Sequence, residues 1–542
     1  MKKNEKIIIY QVLPRLFGND NAKPIPNGSM KENGCGKLSA FSDKALKEIK
    51  KMGFNYIWYT GLLEHATQTD YSAYGIRKDH PAIVKGKAGS PYAIKDYYDI
   101  DPDLADDVPN RMIEFENLIE RTHNAGLKVL IDFVPNHVAR EYHSDSKPNK
   151  TADLGSSDNT HTTFDSNNNF YYIPGQTFQP DFNIGNYHEC PAKATGNDCF
   201  SAHPNRNDWY ETIKLNYGVD YLNGGHTHFS SIPDTWKKML DILLFWGNKN
   251  IDGFRCDMAE MVPVEFWAWV IPQVKEKYLN ILFIAEVYNP QQYRNYLHQG
   301  KFDYLYDKVG LYDTLRAIMT GNQSARAITN CWQSVDDIQS NMLNFLENHD
   351  EQRIASDFFA QNPKKALPAL MVAATMNKNP FMVYFGQELG ESGMDQEGFS
   401  GLDGRTTIFD YWSISSIRNW RNAGNFSVRK LSKAQKELRN SCLHILQLCN
   451  KNKAIREGKF YDLMYVNPPS ENFNPDKQFA YLRCFEDELL LIVVNFDEHD
   501  TNVNVFVPDH AFEYFGLDKK SFSHSVQIKA HDIVIVAITT KN

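Results

Sequence analysis

No stretch of this 542-residue chain comes near the ~18 consecutive apolar residues that a membrane-spanning helix needs. Basic residues do not gather either. Lys and Arg number 58 against 67 Asp and Glu, a net charge of −9 with both signs interspersed, which argues against a nucleic-acid surface. The eight cysteines include no Cys-x-x-Cys pair, so thiolate metal sites and dithiol redox chemistry find no support. Cys190 and Cys199 stand close enough to close a small disulfide loop in an oxidising compartment. Free, buried thiols are the expectation for the set, with Cys256 packed on the outer face of its strand. Low-complexity tracts are absent, and 42% hydrophobic with 23% charged residues is the composition of an ordinary globular protein. The first apolar run is followed by Val12-Leu13-Pro14-Arg15 rather than a glycine loop, which counts against an open, doubly wound nucleotide-binding sheet. The N-terminal run Ile7-Ile8-Ile9-Tyr10 is too short for a signal-peptide core. As it stands the sequence reads as cytoplasmic, with a periplasmic or secreted mature chain, its leader removed, as the alternative.

What is present is alternation. Apolar runs at 7–12, 56–63, 129–134, 251–256, 281–285, 302–306, 342–346 and 381–385 lack the polar interleaving of half-exposed strands. Amphipathic segments such as 43–52, 111–125 and 235–249 lie between them. Eight strand–helix units predict an α/β fold, a (β/α)8 TIM barrel formed by 1–138 and 236–455. The span 139–235, rich in Asn, Asp, Ser, Gly and aromatics, is too long for a structureless loop and reads as a subdomain inserted after the third strand. In that insert Phe170, Tyr171, Tyr172 and Trp209 are read chiefly as its own core, a sugar-lining role being the alternative. From 456 to 542, short strands at 478–484, 489–495, 503–507 and 533–539 without helices between them predict a C-terminal β-sandwich.

Three apolar strands end in acids: Gly253-Phe254-Arg255-Cys256-Asp257, Phe283-Ile284-Ala285-Glu286 and Phe345-Leu346-Glu347-Asn348-His349-Asp350. In such barrels catalytic groups come from the carboxyl ends of several strands. Arg255 and Asp257, two apart, share one face of a strand, so the guanidinium is expected to keep Asp257 ionised as a nucleophile. Glu286 follows the apolar Ile281-Leu282-Phe283-Ile284 and is expected to stay protonated as a general acid. Asp350 would favour positive charge at an anomeric carbon. One ionised and one protonated acid flanking a glycosidic bond make a retaining double-displacement site. Each motif alone is more often structural: Arg-x-Asp as an ion pair, Asn-His-Asp as a loop cap. Their joint occurrence at the strand ends of one barrel pattern outweighs that reading.

The ordered set of motifs resembles the alpha-amylase family, glycoside hydrolase family 13, over nearly the whole chain. Its four regions are similar to Asp132-Phe133-Val134-Pro135-Asn136-His137, the Gly253 to Asp257 segment, the strand ending in Glu286, and Asn348-His349-Asp350. The inserted-domain motif is matched by Gln179-Pro180-Asp181-Phe182-Asn183. The resemblance implies Asp257 as nucleophile, Glu286 as acid/base and Asp350 as transition-state stabiliser. It also implies Tyr92, His137, Arg255 and His349 as sugar-binding residues. No cofactor is required for this chemistry. Calcium enters only through Asn136, which fits the family's calcium-site asparagine and equally suits a turn cap. Glu260-Met261 stand where secreted amylases usually carry Lys-His, and Met258 is neither the alanine nor the valine common after the nucleophile. The expected activity is retaining hydrolysis of α-glucans, α-1,4-linked maltooligosaccharides or starch fragments. The alternatives are α-1,6-glucosidase or glucanotransferase action and, from another class, a non-catalytic glucan-binding scaffold. The Gln-Pro-Asp element leans toward oligo-1,6-glucosidases and Glu286-Val287 toward amylases.

Overall fold

The computed structural model describes residues 5–539. The start of the N-terminal segment judged above, 1–4, lies outside the described residues, as do 540–542. Eight parallel strands close into a barrel in chain order. They are β1 (Ile8–Val12), β2 (Tyr56–Tyr59), β3 (Lys128–Phe133), β4 (Gly253–Cys256), β5 (Leu282–Ala285), β6 (Tyr304–Tyr306), β7 (Met342–Phe345) and β8 (Phe381–Tyr384). β8 pairs back onto β1, with Ile8 opposite Phe381.

Side chains alternate across a strand, and here the alternation sorts two cores. Ile9, Trp58, Leu130, Ile284, Leu343 and Met382 meet inside the barrel. The other parity, including Ile8, Ile57, Val129, Phe254 and Cys256, packs under the surrounding helices, so Cys256 lies on the outer face as expected. Gly253 belongs to the inner row. A Cβ there would come within 2.7 Å of the Leu282 carbonyl oxygen and 2.8 Å of a Leu130 methyl, which explains why the second motif opens on glycine.

The helices α1 (Asp43–Met52), α2 (Arg111–Asn124), α3 (Asp234–Gly247) and α4 (Val264–Lys277) cover one side of the barrel; α5 (Ala327–Ser334) and α6 (Ala366–Thr375) follow later in the chain. The termini of α1 are written in the sequence. Ser42 caps its first turn by accepting from the Ala45 amide, and Gly53 ends it at φ 113°. Among the described residues, no helix is long and apolar enough to cross a membrane.

Between β3 and α3 the chain forms short antiparallel ribbons, of which His137–Ala139 paired with Thr212–Lys214 is the one rooted at the barrel. Ile83, Phe178, Ala192, Ala202 and Tyr210 form a small apolar cluster there, and Phe170, Tyr171 and Tyr172 are buried as core residues. After the barrel, β9 (Lys459–Asp462), β10 (Gln478–Phe485), β11 (Glu488–Asn495) and β14 (Asp532–Ile538) form an antiparallel sheet in the order β9-β10-β11-β14. β12 (Thr501–Val507) pairs with β13 (Phe522–Ile528). One expectation fails here. A helix, α7 (Asp509–Phe515), connects β12 to β13, starting after Pro508 with Asp509 in its first turn and burying Ala511 and Phe512. The cysteines are all free, but only Cys256, Cys442, Cys449 and Cys484 are buried. Cys190 is exposed and Cys35, Cys199 and Cys331 are half-buried, which corrects the blanket expectation of burial.

Candidate active site

The inner row of the barrel continues past the strand ends into the mouth. Leu130 is followed two residues on by Asp132, Gly253 by Arg255 and then Asp257, Ile284 by Glu286, and Ile9 by Gln11. Cys256 pairs with Ala285, so the next residues, Asp257 and Glu286, stand level on adjacent strands. Backbone bonds hold that level: the Asp257 amide donates to the Phe133 carbonyl (2.9 Å) and the Glu286 amide to the Cys256 carbonyl (3.1 Å).

Arg255 is the hub. It is fully buried, and its Nη1 donates to Asp257 Oδ1 at 2.7 Å. Nη2 forms an ion pair with Glu286 Oε2 at 2.7 Å, off the hydrogen-bond axis. Nη1 also lies 3.5 Å from Asp132 Oδ1, and Nε donates to the Tyr306 hydroxyl at 3.2 Å. The rings of Trp58 and Tyr92 flank the guanidinium at 5.2 and 5.4 Å.

Two expectations about the surroundings of these acids need correction. Glu286 does not sit in an apolar pocket. Besides Arg255, it accepts from the Met258 amide (Oε2, 2.8 Å) and from the Tyr288 hydroxyl (Oε1, 2.6 Å). Nor does Arg255 hold Asp257 low. Burial pushes the Asp257 carboxyl well above the usual range, Arg255 opposes this, and the neighbouring Glu286 adds to it. A guanidinium shared among several acids does not compensate fully for the burial of Asp257. Asp132 is likewise pushed up to about 6, by burial against the pull of Arg255.

Asp350 completes the trio. Burial and the nearby Glu286 push it up to about 7. Its side chain keeps 43% exposure to the cleft, so solvent there weakens that push. Asp350 Oδ2 lies 3.1 Å from His349 Nε2. His349 is fixed from two sides: the Gln11 amide donates to Nδ1 (2.8 Å), which leaves Nε2 as donor toward the Tyr92 hydroxyl (2.6 Å). Tyr92 also stacks on the imidazole, with centroids 5.0 Å apart and planes at 23°. Burial, then Arg255, keeps His349 well below the ordinary imidazole value, so it is neutral. His137, beside Trp209 at 5.2 Å between centroids, is held down to about 3 by burial and is neutral as well.

The mouth encloses about 410 Å³, bordered by Tyr92, His137, Asp257, Glu286 and Asp350. Arg255 and His349 stand behind this wall and hold it. The insert motif at 179–183 does not reach the cleft lining. Sequence reasoning missed Tyr288, Tyr306 and Gln11, noted Met258 only as a departure from the family's pattern, and placed Trp209 chiefly in the insert core whereas Trp209 borders the cleft. Tyr288 had a signal, two residues beyond Glu286. The backbone role of Met258 had none: a non-glycine residue at φ 41°, ψ 43° is a strained turn that aims an amide at Glu286.

Asn136 stands apart from the mouth's acids. Its Oδ1 accepts from the ammonium of Lys214 at 2.8 Å, and Lys214 pairs with Asp198 at 2.5 Å. Asn136 Nδ2 donates to the Gly196 carbonyl (2.8 Å). The oxygen that would bind calcium already serves a buried cation supplied by the chain, so these residues do not fit the metal.

Residues 11–457 match the family described as alpha amylase, catalytic domain. Alpha-amylase MalA of Haloarcula japonica is 26% identical over 398 residues, which cover 72% of this chain and 45% of that protein; the chain thus spans less than half of that relative. Among solved structures, the alpha-amylase of Geobacillus thermoleovorans complexed with acarbose superposes with a TM-score of 0.62 at 18% identity, covering 100% of both chains. The cyclic alpha-maltosyl-(1→6)-maltose hydrolase of Arthrobacter globiformis, complexed with maltose, gives 0.64 at 17%, covering 98% of this chain and 99% of that one. At these identities the structural likeness speaks for the fold.

Proposed function

The chain belongs to the alpha-amylase family, and from that premise and the geometry of the mouth we propose that it is a retaining hydrolase of α-glucosidic bonds. The substrate class is α-1,4-linked maltooligosaccharides or starch fragments. The observation that carries the proposal is the single Arg255 guanidinium shared by Asp257 and Glu286 on adjacent strands, with Asp350 in the same cleft. Retaining enzymes need two carboxyl groups close together, roughly 5–5.5 Å apart, and a shared guanidinium favours that spacing.

In the first step Asp257, ionised, attacks the anomeric carbon while the C–O bond to the leaving sugar breaks and Glu286 delivers its proton to that oxygen. Asp350, ionised, stabilises the oxocarbenium-like charge. In the second step Glu286 removes a proton from water, the water oxygen attacks the anomeric carbon, and Asp257 is released as carboxylate. Met258 and Tyr288 hold Glu286 in position through both steps. An acceptor sugar in place of water is the second reading, favoured by Trp209 and Phe409, whose rings border the same cleft and suit a second pyranose.

Asp257→Asn and Glu286→Gln are expected to lower turnover on maltoheptaose by roughly 10³-fold or more while circular dichroism stays native. Near-normal turnover in either variant ends the assignment. Parallel digestion of maltoheptaose, isomaltotriose, pullulan and trehalose, with chromatography of products, fixes the linkage. Oligosaccharides longer than the starting sugar would point to transfer.

A further inference from the structure

A second cleft, of about 650 Å³, lies where the barrel meets the C-terminal sheet. Its barrel-side wall includes Trp332 of α5, Gln339, Asn377 and Lys378. Gln339 belongs to the turn leading into β7, and Asn377 and Lys378 precede β8. These are the entry ends of the strands, whereas Asp257, Glu286 and Asp350 follow the exit ends, so the cleft opens on the far face from the catalytic mouth. Its other wall carries Tyr461 of β9, Tyr465 and Tyr514 of α7.

The aromatic residues of this cleft are unusually accessible. Tyr465 is 60% exposed and Tyr514 50%, although burying such rings is among the largest gains available to a folding chain. They are also ordered with respect to each other. The ring centroids of Tyr461 and Tyr514 lie 5.4 Å apart, and those of Tyr461 and Tyr465 lie 6.1 Å apart. The hydroxyl of Tyr465 is bonded to both the Tyr461 hydroxyl and His510. Across the cleft the Trp332 indole is fixed by donating to Asp462 Oδ2 at 2.8 Å, an oxygen that also accepts from Thr329 (2.7 Å). Around these rings stand polar side chains of every kind, Asp336, Gln333 and Gln339 with the ammonium groups of Lys378 and Lys459, the last 5.0 Å from the Tyr514 ring centroid.

Concavity, fixed aromatic rings and a rim of carboxylate, amide and ammonium groups suit a ring that is apolar on its C–H face and hydroxylated around its edge. A volume of this size lies within the ~300–1,000 Å³ of small-ligand sites. We propose that this cleft is a non-catalytic α-glucan-binding site, which holds a polysaccharide chain to the enzyme while the mouth works elsewhere on it. The proposal rests on the α-glucan reading of the mouth.

The test uses the full chain with Tyr465→Ala and Tyr514→Ala combined, and separately with Trp332→Ala. The two tyrosines are exposed, so the double variant is expected to keep the native melting temperature. In native gels containing amylopectin, retardation of the double variant should weaken about five- to tenfold in apparent affinity, the loss of two aromatic contacts. Its kcat/KM on maltotriose, too short to span both sites, should stay within about twofold of wild type. Trp332→Ala should weaken retardation in the same direction. Unchanged retardation in the double variant overturns the proposal. So does a change in oligomeric mass with retardation intact, which would mark a protein interface instead. Wild-type protein that cleaves maltoheptaose but is not retarded sinks this site alone, whereas protein that neither cleaves nor binds sinks the reading of the mouth.

Discussion

Arg255 is shared among several carboxylates, and the burial of Asp257 and Asp132 outweighs its pull on each of those two. A carboxyl whose pKa is raised by folding binds its proton more tightly in the folded chain than in the unfolded one. Its contribution to stability is therefore full below the ordinary aspartate value of ~4 and is lost as pH rises through the folded value. For Asp350 that folded value is at most about 7, since its side chain keeps 43% exposure to the cleft. Between about pH 4 and about pH 7, wild-type stability should decline in part because this group is forced to ionise. Asp350→Asn, which keeps the shape but cannot ionise, should flatten that decline in thermal melts taken across the range. Identical slopes for the two proteins would refute the assignment. The raised Asp257 carboxyl works in the same direction on catalysis: the acid limb of kcat/KM should lie above the pH at which a solvent-exposed aspartate ionises.

At the scale of elements, the ribbon of His137–Ala139 and Thr212–Lys214 roots the insert at the barrel, and its last residue brings an ammonium into the interior. Lys214 is 1% exposed and spans Asn136 and Asp198, doing with a side chain what a bound cation would do. Burial lowers its pKa and Asp198 opposes that. Lys214→Met should destabilise the protein by roughly 1–3 kcal/mol, because Asn136 loses its donor while the partly exposed Asp198 is rescued by water. A calcium chelator should leave the wild-type Tm in place; a fall as large as that of the variant would contradict this arrangement. Lys214 also marks where sequence reading stops. The strand-end acids and β1 to β8 were legible because each strand is a short continuous apolar run, and α1 because 43–52 is amphipathic. Helix α7 was not legible, since its few apolar residues show no period long enough to recognise. Strand β13 was missed because His524 and Gln527 interrupt it. Met258, Tyr306 and Lys214 act across tens of residues of sequence separation, and nothing in their own neighbourhoods announces a partner.

Across the whole molecule, one buried arginine ties the C-terminal sheet to the barrel. Arg483, in β10, donates to the carbonyls of Met376 (2.7 Å), Ala454 (3.0 Å), Ile455 (2.8 Å) and Gly458 (2.9 Å). Met376 closes α6 of the barrel, while Gly458 leads into β9. Burial without a carboxylate partner lowers the Arg483 pKa to about 10, a cost accepted for four bonds. Arg483→Met should strand those carbonyls and cost roughly 2–5 kcal/mol. If the sheet and barrel unfold as one body, calorimetry should show a single transition moved to lower temperature. Two separated transitions in the wild type would mean that the sheet is an independent passenger.

The inward row that seals the barrel is the row that reaches the sugar, and this makes strand length an inviolable quantity. Removing one residue from β5 would turn Glu286 beneath the helices and thrust an outer-layer side chain into the catalytic opening. Substitutions in these strands can be graded, but insertions and deletions there are all-or-nothing. Room to acquire a different sugar preference lies in the connections that follow each strand, whose lengths can drift without disturbing either the hidden isoleucines or the acids above them.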